Sequence, residues 1–202
     1  EGAEAEYEAR LAGAPEGWDL WASSLATLRA MPLAAPLWIR RSYMRLAPVV
    51  DKTGGELARV IDEIWRVPPA MLGTYVHAQL DGYVNAVYRS VKALRAGDAL
   101  AHRLDAAASI EPMLAAAFAM HDRRLAPLAK YLRGELEHFP LTGLGRSADE
   151  ILADVLAILD RGDLDAQQRL LGELEALARR SGHGAALDAS PGKDRWVLSY
   201  RP

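Results

Sequence analysis

The residues best equipped for chemistry lie on one stretch, 75–96. At about 100° per residue, Leu80, Val84, Val87, Val91 and Leu94 fall on one apolar stripe. Asp81, Asn85, Tyr88, Lys92 and Arg95 fall on a second, at spacings i, i+4, i+7, i+11 and i+14, with Arg89 beside it. A carboxylate, an amide, a phenol and three cations in one row suit an anionic or highly hydroxylated ligand: cations for phosphate, amide and phenol for sugar hydroxyls. The plainer alternative is the solvated face of an amphipathic helix, since charged faces are normally wet. A second cluster, Lys130-Tyr131-Leu132-Arg133-Gly134-Glu135-Leu136-Glu137-His138, could bring Lys130 and Glu135 to the same cleft. Its plainer alternative is a short surface helix with i,i+4 pairs.

Other chemistries find no footing. The five histidines (77, 102, 121, 138, 183) have no metal-ligand spacing, and no cysteine offers a thiolate. No serine sits in a Gly-x-Ser-x-Gly elbow, and no glycine-rich phosphate loop is present. Gly143-Leu-Gly145 lacks the preceding strand that a dinucleotide site needs. A net charge of −3 gives no broad basic field for nucleic acid or anionic lipid. No apolar run approaches the ~20 residues that span a bilayer. No membrane partner and no nucleic acid are expected, and the expected location is the cytoplasm. The chain begins at Glu1 rather than Met, which implies processing or further residues upstream.

The elements that must position these residues are helices. Half of the 202 residues are apolar, enough for a real core, and Ala and Leu dominate while β-rich alternation is scarce. Residues 2–11 predict a short charged helix, and 16–31, with Trp18, Trp21, Leu25 and Leu28 at helical spacing, a second. Pro32 and Pro36 are expected to break the chain. Residues 37–50 (LWIRRSYMRLAPVV) are the best strand candidate. Thr53-Gly-Gly-Glu56 and Ser147-Ala-Asp-Glu150 match capping boxes, opening helices to about Arg66 and to Leu159. Pro68 and Pro69 suit the first turn of a helix running to about Ala96. Gly97 stops it and Asp98 starts the next, to about Ala107. Ser109 caps a segment to about Met120, 125–137 form a shorter helix, and Asp165 to Ser181 form the last long one. Trp196 can anchor the tail. The expected fold is all-α: an antiparallel helical bundle over 51–202 behind a small irregular or strand-bearing segment, 1–50. Trp18, Trp21 and Trp38 are expected in the core; the alternative is a surface for a partner.

The run Leu80-Asp81-Gly82-Tyr83-Val84-Asn85-Ala86-Val87-Tyr88-Arg89-Ser90-Val91-Lys92, then Arg95-Ala96-Gly97-Asp98, resembles the helical C-terminal domain of bacterial nucleotidyltransferases related to the aminoglycoside (kanamycin) enzymes. The resemblance continues through Leu104-Asp105-Ala106-Ala107, Met113-Leu114, Phe118-Ala119 and Arg123-Arg124 to Pro127 and Lys130-Tyr131-Leu132-Arg133-Gly134-Glu135-Leu136. Val50-Asp51-Lys52-Thr53-Gly54-Gly55-Glu56-Leu57 is similar to the link by which such chains leave the catalytic sheet. It covers roughly residues 44–138. The resemblance implies a two-part enzyme that transfers a nucleotide from a nucleoside triphosphate to the hydroxyl of a small-molecule acceptor. In such an enzyme an N-terminal α/β domain holds Mg²⁺ through a Gly-Ser turn and spaced carboxylates. Residues 1–50 would be the remnant of that domain. By resemblance, Asn85, Tyr88, Arg89, Lys92 and Lys130 bind substrate or nucleotide, and Asp81 or Glu135 acts as general base.

The catalytic carboxylate motif is missing: Asp163-Leu164-Asp165 has the spacing but no strand before it, and reads as loop and cap. By this reading the chain alone is inactive, and a separate N-terminal catalytic domain is implied. Two alternatives stand beside it. HEPN-type ribonucleases are similar in using Arg-x(4–6)-His, a spacing met by Arg95 with His102 and by Arg133 with His138, though Ala96 and Gly134 stand where that family usually has a polar residue. The other alternative is a non-enzymatic helical interaction module.

Overall fold

The computed structural model describes residues 5, 6, 9, 11, 13, 21–188 and 196–202. They are mostly helical, and the chain divides into two compact units, Glu1–Trp65 and Arg66–Pro202.

In the first unit, α1 (Leu25–Ala34), α2 (Leu37–Ser42) and α3 (Glu56–Ile64) gather around Leu28, Tyr43, Ile61, Ile64 and Trp65. Ser24 caps α1 by accepting from the Thr27 amide at 3.0 Å. Pro32 does not break this helix, which runs on to Ala34; in the last turn a proline forfeits only one intrahelical bond. The expected strand over 37–50 is a helix and a turn. Pro36, with φ −57°, sits at the start of α2, where its fixed φ is already helical. The Arg40 side chain is buried and donates Nε–H to the Ile64 carbonyl at 2.8 Å, which ties α2 to the end of α3. The capping box expected at Thr53 does not form: Gly55 is the N-cap of α3, with no side-chain bond. The Thr53 hydroxyl accepts from the Leu57 amide at 2.8 Å and Asp51 from the Thr53 amide at 2.8 Å, while Glu56 pairs with Arg29. Trp18 lies outside the described residues. Trp21 and Trp38, expected in the core, are 63% and 67% exposed.

In the second unit an antiparallel bridge, Arg66 to Arg124, holds the start of the unit against the turn at 122–124. Asp122 and Arg123 adopt φ of 62° and 58° there. A 3₁₀ turn, Pro69–Met71, leads into the 24-residue α4 (Leu72–Arg95). α5 (Ala99–Ala108) and α6 (Ile110–Met120) both pack on α4. Gly97 at φ 77° turns the chain, and Asp98 caps α5 through the Ala101 amide at 2.9 Å. Residues 125–137 are not one helix: a 3₁₀ turn at Ala129–Tyr131 precedes the short α7 (Leu132–His138). Ser147 and Glu150 form the full capping box of α8 (Ala148–Arg161). Asp163 caps α9 (Leu164–Arg180), accepting from the Ala166 amide at 2.8 Å, and α10 (Gly184–Asp188) packs on α9 and α4. The tail returns over Gln168, whose amide donates to the Val197 carbonyl at 2.6 Å and to that of Tyr200 at 3.0 Å.

Gly162 ends α8 at φ 68°, and a Cβ there would lie 2.6 Å from Nε2 of buried His102. Gly162→Ala therefore combines left-handed strain with overpacking and should cost about 2–4 kcal/mol. Urea denaturation measures it; a loss below about 0.5 kcal/mol would show that α5 and α8 do not meet this closely.

Candidate functional site

The buried arc of α4 comprises Val76, Leu80, Tyr83, Ala86, Val87, Ser90 and Val91. It is turned toward Tyr83 and Ala86 relative to the stripe the sequence suggests, and Val84 and Leu94 are only half-buried. That rotation places the polar row squarely opposite the core. Asp81, Asn85, Arg89, Lys92 and Arg95 are all exposed. Arg89 donates Nε–H to Asp105 of α5 at 3.0 Å, with its side chain still 57% exposed. Such a pair is weak enough for a ligand anion to displace.

Trp196 covers the C-terminal end of the row. Tyr88 meets its ring edge-on at 6.1 Å, Tyr200 at 5.7 Å, and the Arg95 guanidinium lies 4.6 Å over it. The tail anchor expected at Trp196 is thus built from two members of the row, and Asp81, Asn85, Arg89 and Lys92 remain open. Lys130 is exposed, its Nζ 4.7 Å from the Tyr131 ring centroid. Glu135 is buried, at 5% exposure, and its charge acts on the Arg124 guanidinium. Of the two candidate bases, only Asp81 faces solvent.

The two Arg/His pairs do not make joint sites. His102 is buried, its Nδ1 3.0 Å from the Ser90 carbonyl, while the Ser90 hydroxyl donates back to the His102 carbonyl at 3.1 Å; Arg95 is occupied on Trp196. Arg133 pairs with Asp149 at 3.0 Å and His138 bonds to the Gly134 carbonyl at 2.6 Å, both exposed. His121 is also structural. Its Nε2 accepts from the Gly143 amide at 2.9 Å, so the proton sits on Nδ1, which donates to the Ala117 carbonyl at 2.7 Å. Burial, opposed by that Ala117 bond and aided by the Arg124 charge, pushes the imidazole below its ordinary pKa.

A buried ion cluster escapes sequence reading. Asp154 of α8 is held bidentately by Arg169 of α9, at 3.0 and 2.6 Å, and also by Arg146. Arg146 reaches Glu173 at 3.5 Å. Burial would raise the Asp154 carboxyl, but hydrogen bonds from Arg169 and Arg146 hold it below the usual range. Burial lifts Glu173 above its own. The Tyr83 hydroxyl, fully buried and without a hydrogen-bond partner, is pushed upward by burial and by the charges of Glu173, Asp154 and Glu175. These partners come from four positions spread over residues 146–173, a contact no local spacing announces.

Within the first unit an open cleft of about 310 Å³ lies between α1 and α3, lined by Arg29, Pro32, Glu56, Arg59, Val60 and Glu63. Arg29 and Glu56 neutralise one another across it. Among the described residues no group of three His, Asp or Glu side chains could hold a metal ion. Comparison with protein-family models, with characterised proteins and with solved structures gives no match to this chain.

Two predictions follow from these side chains. Removing Asp154 leaves Arg146, 14% exposed, with only the longer Glu173 contact at 3.5 Å for a carboxylate, so Asp154→Ala should cost about 2–3 kcal/mol in chemical denaturation; a change under about 1 kcal/mol would mean the cluster is loosely held. The folded pKa of His121 lies below its unfolded value of about 6.5. Its contribution is therefore complete above that pH and is lost as pH falls through it toward the folded value. Denaturation of the wild type and His121→Asn across this window should show a shallower pH slope in the variant; equal slopes would rule His121 out as the source.

Proposed function

We propose that this chain is the helical, substrate-side portion of a nucleotidyltransferase-like protein, which transfers a nucleotide from a nucleoside triphosphate to an acceptor hydroxyl. The supporting observation is the exposed row Asp81, Asn85, Arg89 and Lys92, which stands opposite the core of α4 and has no structural duty beyond the weak Arg89–Asp105 pair. In this reading Arg89 and Lys92 meet triphosphate or an anionic acceptor group. Asn85 binds a sugar hydroxyl, and Asp81 takes the proton of the attacking hydroxyl. Tyr88 shapes the end of the row by its contact with Trp196. Lys130 offers a further exposed cation, while Glu135 acts from within by holding Arg124.

Mg²⁺ does not fit the side chains described here, because the carboxylates that could gather around it are dispersed or tied to arginines. The metal ligands of such an enzyme would belong to a catalytic partner domain. The exposed Trp21 and Trp38 of the first unit favour a partner surface of this kind.

Calorimetric titration of the whole encoded protein with a magnesium–nucleoside triphosphate tests the reading. Arg89→Ala and Lys92→Ala should each weaken binding about tenfold or more, the loss of one charge-assisted contact, with an unchanged circular dichroism spectrum. Undiminished binding in both variants, or no binding by the parent protein, would overturn it.

A further inference from the structure

A second surface stands apart from the Arg89 row. Leu100 and Leu104, one turn apart on α5, are 72% and 63% exposed; Leu156 and Leu159 on α8 are 58% and 50% exposed. α5 and α8 pack on one another. The contact runs between these leucines: Arg103, beside Leu104, donates from its guanidinium to the carbonyl of Asp160, beside Leu159, at 2.6 Å. His102 and Ala106 turn the opposite side of α5 into the core, so Leu100 and Leu104 are not part of the core of this unit. Any good helix former would satisfy the helix at these positions. Four exposed leucines on two adjoining helices approach the few hundred Å² of apolar patch that marks an interaction site.

We propose that this face is a two-fold interface between two copies of this chain. A two-fold contact presents one patch to itself, so it needs an apolar centre and charges of both signs that can exchange partners across the axis. This face has both. Arg103 spends one guanidinium nitrogen on a backbone carbonyl, and the exposed Asp160 carboxylate has no hydrogen bond or ion pair. In the pair, Arg103 reaches Asp160 of the partner subunit beside the axis, and the leucines pack on either side of it in a contact that must reach about 800 Å² on each side. A strongly acidic or basic partner would call for a single sign here, which this face lacks. The inference does not rest on nucleotide binding: Arg89 pairs with Asp105 on another side of α5, and either reading can fail while the other stands.

Sedimentation velocity from about 1 to about 100 µM should show a concentration-dependent dimer. Leu104→Glu and Leu156→Glu should each raise the dissociation constant about 30-fold or more, as expected of central interface residues, with an unchanged thermal melt. Arg103→Glu and Asp160→Arg should each weaken association, and the double variant R103E/D160R should restore it, while the thermal melts of all three stay at the parent value. A monomer throughout the range would overturn the proposal and leave the face to a different protein. A dimer indifferent to both leucine variants, or no rescue by the charge exchange, would overturn it as well.

Discussion

A helix that is apolar on every side exists in water only if other helices surround it. α6 is such a helix: Ile110, Met113, Leu114 and every residue from Ala115 to Ala119 are buried. The second unit is arranged to meet that demand. α4 and α9 pack on α6, and α5 closes against both α4 and α6. The alanines allow close approach, and Phe118 and Met113, almost wholly buried, fill the space between. Once α4 has committed Leu80, Tyr83, Val87 and Val91 to this packing, its opposite side must face outward. The chemistry-bearing row is thus a consequence of where α6 lies, not an independent feature of the surface.

The helices around α6 are held in register by polar contacts, and the buried ones would be costly if half-made. Ser90 and His102 exchange bonds through each other's backbone and lock α4 to α5. His121 joins the end of α6 to the 3₁₀ turn at Thr142–Leu144, and the Arg180 guanidinium donates to the Gly143 carbonyl at 2.7 Å, so α9 reaches the same turn. Asp154 joins α8 to α9. His102, His121 and the buried Asp154 are therefore spent on architecture. That is why a pairing such as Arg95 with His102, plausible as spacing, does not converge: its imidazole is a fastener between helices.

Local punctuation was legible in the sequence because its causes are local. Gly97 with Asp98, Ser147 with Glu150, and Asp163 each act within three or four residues, and each helix begins or ends there. The errors arise where a distant partner decides. Residues 37–50 carry the aromatic and β-branched side chains of a strand, yet no second strand is available to pair with them among the described residues, and the Ile64 carbonyl captures Arg40 instead. The capping box at Thr53 fails because Asp51 takes the Thr53 amide and Arg29 takes Glu56. The periodicity of α4 gave the correct polar face but not the exact buried arc, because apolar counting cannot weigh Tyr83, Ala86 and Ser90 against Val84. The ion cluster around Asp154 depends on three elements meeting and left no signature at all.

Burial and neighbouring charge also limit what the open row can do. A catalytic carboxylate needs a raised pKa or a positioned partner to act as a base, and such perturbation comes from burial or a neighbouring charge. Here the buried carboxylates, Asp154 and Glu135, are the ones facing arginines, while Asp81 stands in solvent. An exposed row can select a ligand by charge and hydrogen bonding, but it cannot by itself exclude water from a reacting hydroxyl. If nucleotide transfer takes place on this face, a second surface must close over Asp81, Asn85, Arg89 and Lys92. The helical unit then supplies recognition and a proton acceptor, and the covering surface supplies the dry environment and the charge that make Asp81 reactive.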